Sequence, residues 1–184
     1  WHAVSLEDVG DQRLISPEIS VPLGASAPTL EFRNFASFDT STSSECFDAG
    51  ILEYSIDSGT NWNLVPNSQL LAAPYTYPII EGLSNPLGGL DGWCNPQSYG
   101  DLEDSASWDR AVVDLSGLQG NNVQFRFRLG SDESYFGETL GWRIDDVKVH
   151  SCELPTANYT LQVNSAGAAG VAITSTSGHG GTTN

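Results

Sequence analysis

The carboxylates of this chain are its first candidates for chemistry, because they fall in short clusters. Glu45 and Asp48 stand in Glu45-Cys46-Phe47-Asp48-Ala49-Gly50, just ahead of an alternating segment. The small pair Ala49-Gly50 lets the backbone turn tightly. A hard cation such as calcium takes about 6–8 oxygens, mixing carboxylates with backbone carbonyls, and a loop of this kind offers several. The plain alternative is an acidic turn in which Asp48 closes an Asx-turn. Asp145 and Asp146 form a second cluster in Gly141-Trp142-Arg143-Ile144-Asp145-Asp146-Val147-Lys148-Val149. Counted with Val147 and Val149, Asp145 points into a core, whereas Asp146, in phase with Lys148, points to water. A carboxylate facing inward needs a metal, hydrogen bonds or a cation. A metal and an arginine (Arg126, Arg128 or Arg143) are both open as the partner of Asp145. Trp142 and Ile144 have the opposite phase, which implies a bulge or an end-of-strand switch.

Two further groups invite a ligand. Gly130-Ser131-Asp132-Glu133-Ser134-Tyr135-Phe136-Gly137 puts two adjacent acids and two aromatics in a loop between strands, which is either a binding loop or an ordinary exposed one. Tyr75, Tyr77, Trp93, Tyr99 and Trp108 lie in a Pro/Gly-rich stretch. Exposed aromatics there would stack on sugar rings, as in a carbohydrate-binding module; the same residues would otherwise cover a sheet face.

Motifs for catalysis are missing. The sequence has no HExxH, no GxSxG and no P-loop. His2, His150 and His179 lie near the chain ends, so a Ser-His-Asp arrangement would depend on His150. A carboxylate pair for glycoside cleavage stays open, since spacing along the chain does not set separation in space. No catalytic residue is expected.

Composition narrows the classes. The 184 residues carry 7 Lys+Arg against 23 Asp+Glu, a formal net charge of -16, with 39% hydrophobic residues. That apolar share supports a core, and the length suits one domain with the start of another. Nucleic acid is excluded as a partner, because phosphates need a basic face. Anionic membrane surfaces are disfavoured for the same reason, and no apolar run approaches the roughly 18 residues of a membrane helix. The acidic excess reads as solubility of a secreted or cell-surface protein, leaving metal binding to particular residues. The chain has no Met and begins Trp1-His2-Ala3, so a fragment or processed product without its signal peptide is expected. Cys46, Cys94 and Cys152 lack CxxC spacing, which argues against zinc. A Cys46–Cys94 disulfide is expected, because both lie in long loops while Cys152 sits at a domain exit.

The elements that must position these groups are strands. Val123-Gln124-Phe125-Arg126-Phe127-Arg128-Leu129 alternates cleanly, as do Leu30–Arg33 and Leu52–Ile56. Asp57-Ser58-Gly59-Thr60 then turns into Asn61–Val65, predicting a hairpin. Further strands are expected at Ile15–Val21, Ala111–Leu115, Trp142–Val149 and Tyr159–Val163. No segment shows a sustained helical period. The connection from Pro66 to Trp108 is too long to be structureless, so short strands and functional surface are expected within it. After Cys152-Glu153-Leu154-Pro155, residues 153–184 read as a linker and the start of a following module or a flexible tail.

Taken in order, Asp48-Ala49-Gly50-Ile51-Leu52-Glu53-Tyr54-Ser55, Asn85-Pro86-Leu87-Gly88-Gly89, Gly92-Trp93, Val123–Arg128, Gly130-Ser131-Asp132 and Gly141-Trp142-Arg143-Ile144-Asp145-Asp146-Val147 resemble a known pattern. The pattern is that of the MAM-like jelly-roll domain accompanying immune inhibitor A-type secreted bacterial metalloproteases, and it covers about residues 14–152. The resemblance implies an antiparallel two-sheet jelly roll, a noncatalytic role and often a structural calcium. Asp48 matches the first Asp of the turn motif and Asp145 the first Asp of the closing motif. Ala49 stands where the family usually has Gly, and Glu45 falls near, not on, the family's acidic position.

The expectation is thus an all-β jelly-roll sandwich spanning 1–152. It would serve as an accessory domain packing against neighbouring domains or holding an extracellular protein or glycan. Calcium would join Asp48 and Glu45 to Asp145 and Asp146. The alternative is a carbohydrate-binding module using Trp93, Tyr75, Tyr77 and Trp108.

Overall fold

The computed structural model describes residues 1–3, 8–38, 40–42, 44–94, 108–133, 140–153, 172–173 and 181–182. Its strands are β1 (His2–Ala3), β2 (Gly10–Ile15), β3 (Ile19–Ser20), β4 (Ala25–Ser37), β5 (Thr40–Thr42), β6 (Glu45–Cys46), β7 (Ala49–Ser55) and β8 (Asn63–Leu64). They continue with β9 (Leu70–Ala72), β10 (Tyr77–Pro78), β11 (Asp91–Gly92), β12 (Asp109–Asp114), β13 (Asn122–Ser131) and β14 (Gly141–Glu153). The chain divides into two compact units, Trp1–Leu154 and Pro155–Asn184. In the second, β15 (Ala172–Ile173) pairs antiparallel with β16 (Gly181–Thr182). The strand expected at Tyr159–Val163 lies outside the described residues.

The first unit is a β-sandwich of two antiparallel sheets. Sheet one has the order β1-β14-β4-β12-β9, and sheet two β2-β13-β7-β8, with β3 on the end of β13. The chain passes back and forth between the sheets: β1, β4, β9, β12 and β14 belong to one, and β2, β7, β8 and β13 to the other. Setting aside the added edge strand β9, the orders β1-β14-β4-β12 and β2-β13-β7-β8 are those of an eight-stranded jelly roll.

Alternation decides which face each strand buries. On β4, Leu30 and Phe32 are fully buried while Arg33 between them and Phe35 is exposed. On β13, Val123, Phe125, Phe127 and Leu129 point inward. The centre is aromatic: Phe32 meets Phe127 at 5.0 Å and Trp93 at 5.7 Å between ring centroids, and Trp142 meets Phe127 at 6.1 Å. Trp142 anchors this packing because its Nε1 donates to Asn34 Oδ1 at 2.7 Å, giving the one polar atom of the ring a partner. Position 50 has to be glycine: a Cβ there would lie 2.6 Å from the Trp142 ring.

The predicted hairpin is present as β7–β8, with Glu53 opposite Leu64 and Tyr54 opposite Asn63. Its turn is tied by Asp57, whose Oδ1 accepts from Ser55 Oγ at 2.7 Å and from Asn61 N–H at 2.9 Å. These bonds, led by the Asn61 N–H, hold the Asp57 carboxyl at about 2. The long connection from Pro66 to Trp108 contributes β9, β10 and β11.

Sheet two closes its outer face with charge. Arg126 on β13 meets Glu53 on β7 at 2.5 Å, and both residues are buried. The Trp62 ring covers the Arg126 guanidinium at 4.3 Å. Arg128 bonds Asp11 at 2.8 and 3.0 Å, and Arg13 bonds the same carboxylate. The Arg128 hydrogen bond, with Arg13 behind it, holds Asp11 well below the usual carboxylate range.

Candidate functional site

Three segments converge on one polar knot: the turn before β7, the end of β13 and the Asn85–Leu87 turn. Asn85 ties them. Its Nδ2 donates to Phe47 O at 2.7 Å and to Gly130 O at 3.1 Å, and its Oδ1 accepts from Leu87 N–H at 2.8 Å. Asp48 and Asp132 lie inside this frame, 2% and 0% exposed. The Asp132 N–H donates to Asp48 Oδ1 at 3.0 Å, which ties together residues 84 positions apart in sequence. Gly130 makes room, since a Cβ there would collide with Asn85 Oδ1 and lie 2.7 Å from Leu87 Cγ.

Disulfide chemistry braces the same turn. Cys46 and Cys94 are bonded, with Cα atoms 6.0 Å apart and a separation of 48 positions in sequence. Closing a loop of that length removes denatured-chain entropy on the order of 4 kcal/mol. The neighbouring backbone is paired as well: Gly50 and Trp93 exchange N–H···O bonds of 3.1 and 2.8 Å. Ile80 N–H donates to Cys46 O at 3.0 Å.

Each expected site residue has a definite place. Asp48 is in the knot, and Glu45 is exposed on β6. Asp145 does not point inward, contrary to the phase count. Asp145 pairs with Arg33 and Lys148 with Glu31, so β14 spends three residues where β4 spends two. The extra residue is a bulge at Asp146, whose φ is 51°. Counting back from Val149 across that bulge inverts the face: Trp142 and Ile144 fill the core, and Asp145 and Asp146 are exposed. Asp145 Oδ1 accepts the Asp146 N–H at 2.8 Å. The arginines considered as its partners are engaged elsewhere, Arg126 and Arg128 on sheet two and Arg143 over the Phe35 ring at 5.3 Å. Among the described residues no three His, Cys, Asp or Glu side chains form a metal-holding group.

The aromatic set also divides. Tyr75 and Trp93 are 6% and 3% exposed, so they are not surface stacking platforms. Tyr75 plugs the core with its hydroxyl donating to Val65 O at 2.9 Å, and burial pushes that phenol well above its ordinary range. Trp93 Nε1 donates to Ala73 O at 2.8 Å. Tyr77 is half-buried, and Trp108 alone of the four is exposed. Asn85, which holds the knot, carries no sequence signal separating it from any turn Asn. Asp132 stood in a noted loop, but nothing local joined it to Asp48.

The fold defines the class as a jelly-roll β-sandwich, braced here by a disulfide. Within that class the chain belongs to the Reelin subrepeat B family, whose model matches residues 8–150. The family is a jelly-roll-like domain, which is the fold that the sequence resemblance implied. The chain is also similar to Bacillopeptidase F of Bacillus subtilis (strain 168), 40% identical over 63 residues. That stretch is 34% of this chain and 4% of Bacillopeptidase F, so the chain spans a small part of that relative's length. Among the described residues no helix is long and apolar enough to cross a membrane.

Proposed function

We propose that this chain is a noncatalytic, MAM-like accessory domain of a larger secreted bacterial protein that has peptidase activity elsewhere in its length. It would act by packing against neighbouring domains or by holding an extracellular target. The observation that carries this reading is the likeness to 4% of a peptidase's length.

A structural calcium belongs to the same reading. The buried Asp48 and Asp132 carboxylates, with main-chain oxygens of the turns they share, are the hard donors such an ion takes. An ion there would neutralise two acids held out of water and staple the turn before β7 to the end of β13. Glu45, Asp145 and Asp146, being exposed, leave Asp48 and Asp132 as the side chains on which the proposal rests.

Thermal melting in excess calcium and in EGTA tests the ion. Anything that binds only the folded state stabilises by mass action, about 2.7 kcal/mol at a hundredfold excess over Kd. A raised melting temperature in calcium, abolished in Asp48→Asn, is expected. Coincident melting curves for the unaltered chain would remove calcium from the reading.

A further inference from the structure

Sheet one's outer face carries cations that internal pairing does not consume. Register sets two cross-strand rows there. In the first, Trp108 packs on Phe35 with centroids 5.6 Å apart, Phe35 lies opposite Arg143, and Arg143 lies opposite His2. In the second, Arg110 lies opposite Arg33, which lies opposite Asp145. These rows hold three of the seven Lys/Arg residues and one carboxylate, in a chain of net charge -16.

Folding alone does not account for this arrangement. Like charges directly opposite in a ladder are destabilising, and Arg110 and Arg33 are so placed, while Asp145 lies opposite Arg33 on its other side without closing to an ion pair. Arg110 is held by Glu31 at 2.6 Å, but Arg33 and Arg143 form no ion pair among the described residues. Trp108 is 45% exposed at the end of the first row. Beside the rows opens a cavity of about 490 Å³ lined by Pro74, Thr76, Trp93, Asp109 and Arg110, so that Arg110 belongs to both.

We propose that this face binds an anionic polysaccharide of uronic acid residues. The guanidinium forks of Arg33 and Arg143 take ring carboxylates by paired N–H···O bonds. The Trp108 indole offers an apolar platform to the less polar face of a pyranose, and the cavity is large enough for one such ring. An acidic peptide would satisfy the guanidinia and leave the indole and the ring-sized cavity without a purpose. The inference rests on the accessory-domain reading and gives its target a chemical class.

Affinity electrophoresis and calorimetry of the full chain with polygalacturonate test it, beside a neutral polysaccharide and poly-glutamate. The expected result is binding to polygalacturonate that weakens as salt rises, with at least a tenfold loss in Arg33→Ser and in Trp108→Ala. Arg13→Ser, on the opposite sheet, should bind normally. Unchanged melting of the two sheet-one variants would show that the loss is not unfolding. Absence of polygalacturonate binding at low salt overturns the proposal, and so does equal binding of poly-glutamate, which would make the ligand a peptide. Neither outcome alters the calcium melting shift, which tests the ion of the proposed function separately.

Discussion

The two outer faces of the sandwich use the same residue types to opposite ends. On sheet two, Arg126, Arg128 and Arg13 are matched by Glu53 and Asp11, and Trp62 lies over Arg126. On sheet one, Arg33 stands between a second arginine and Asp145, Arg143 lies on a ring, neither arginine forms an ion pair among the described residues, and Trp108 is exposed. A guanidinium closed in by carboxylates and an indole serves stability. One left open in a strongly acidic chain has affinity to spare for an outside anion. Residue type therefore does not reveal the role; the cross-strand neighbour does.

The largest expected effect breaks the closed face. Glu53→Ala leaves the Arg126 guanidinium buried without its acid and should cost about 3–5 kcal/mol in urea unfolding. A cost below about 1 kcal/mol would show that the pair is solvated and the two faces equivalent. Next comes Trp62→Ala, which uncovers the same pair and should cost about 2 kcal/mol by the same measurement. A smaller effect appears with pH. Asp11 is held below its ordinary value by Arg128 and Arg13, so it binds its proton more weakly folded than unfolded. Its contribution is complete above the unfolded carboxylate pKa of about 3.9 and is lost as pH falls below it. Urea midpoints followed from pH 5 to pH 2 should therefore fall less steeply in Asp11→Asn than in the unaltered chain. Identical slopes would mean that the Arg128 bond does not persist in solution. The smallest effect belongs to the open face. Arg33→Ser should leave the melting temperature close to unchanged, because it relieves the opposition to Arg110 and gives up the opposite charge of Asp145. A clear fall would give Arg33 a structural role and erase the contrast.

Much of the fold was legible because alternation is a local property. Val123–Leu129 shows its buried and outer faces in its own letters, and Asp57-Ser58-Gly59 announces the hairpin by turn chemistry. The same reasoning failed at Asp145 for a local cause. Alternation holds only while the ladder is regular, and the bulge at Asp146 shifts every face beyond it by one residue. Trp142 and Ile144 already carried the warning, since their phase conflicted with Val147 and Val149. Tyr75 and Trp93 failed differently: an aromatic in a Pro/Gly-rich stretch looks the same whether the stretch lies over a core or over water.

By itself, then, the sequence determined the all-β class, the principal strands and the net acidity. Each of those follows from residue type and short-range period. The tertiary structure alone decided which acids meet and which cations stay open. Asp48 and Asp132 are 84 residues apart, and only the jelly-roll path brings the start of β7 beside the end of β13. Arg33 meets Arg110 only because β12 lies beside β4 in that register. Charges interact through space at a few ångströms, and the chain order of the residues does not encode that distance until the sheets are stacked.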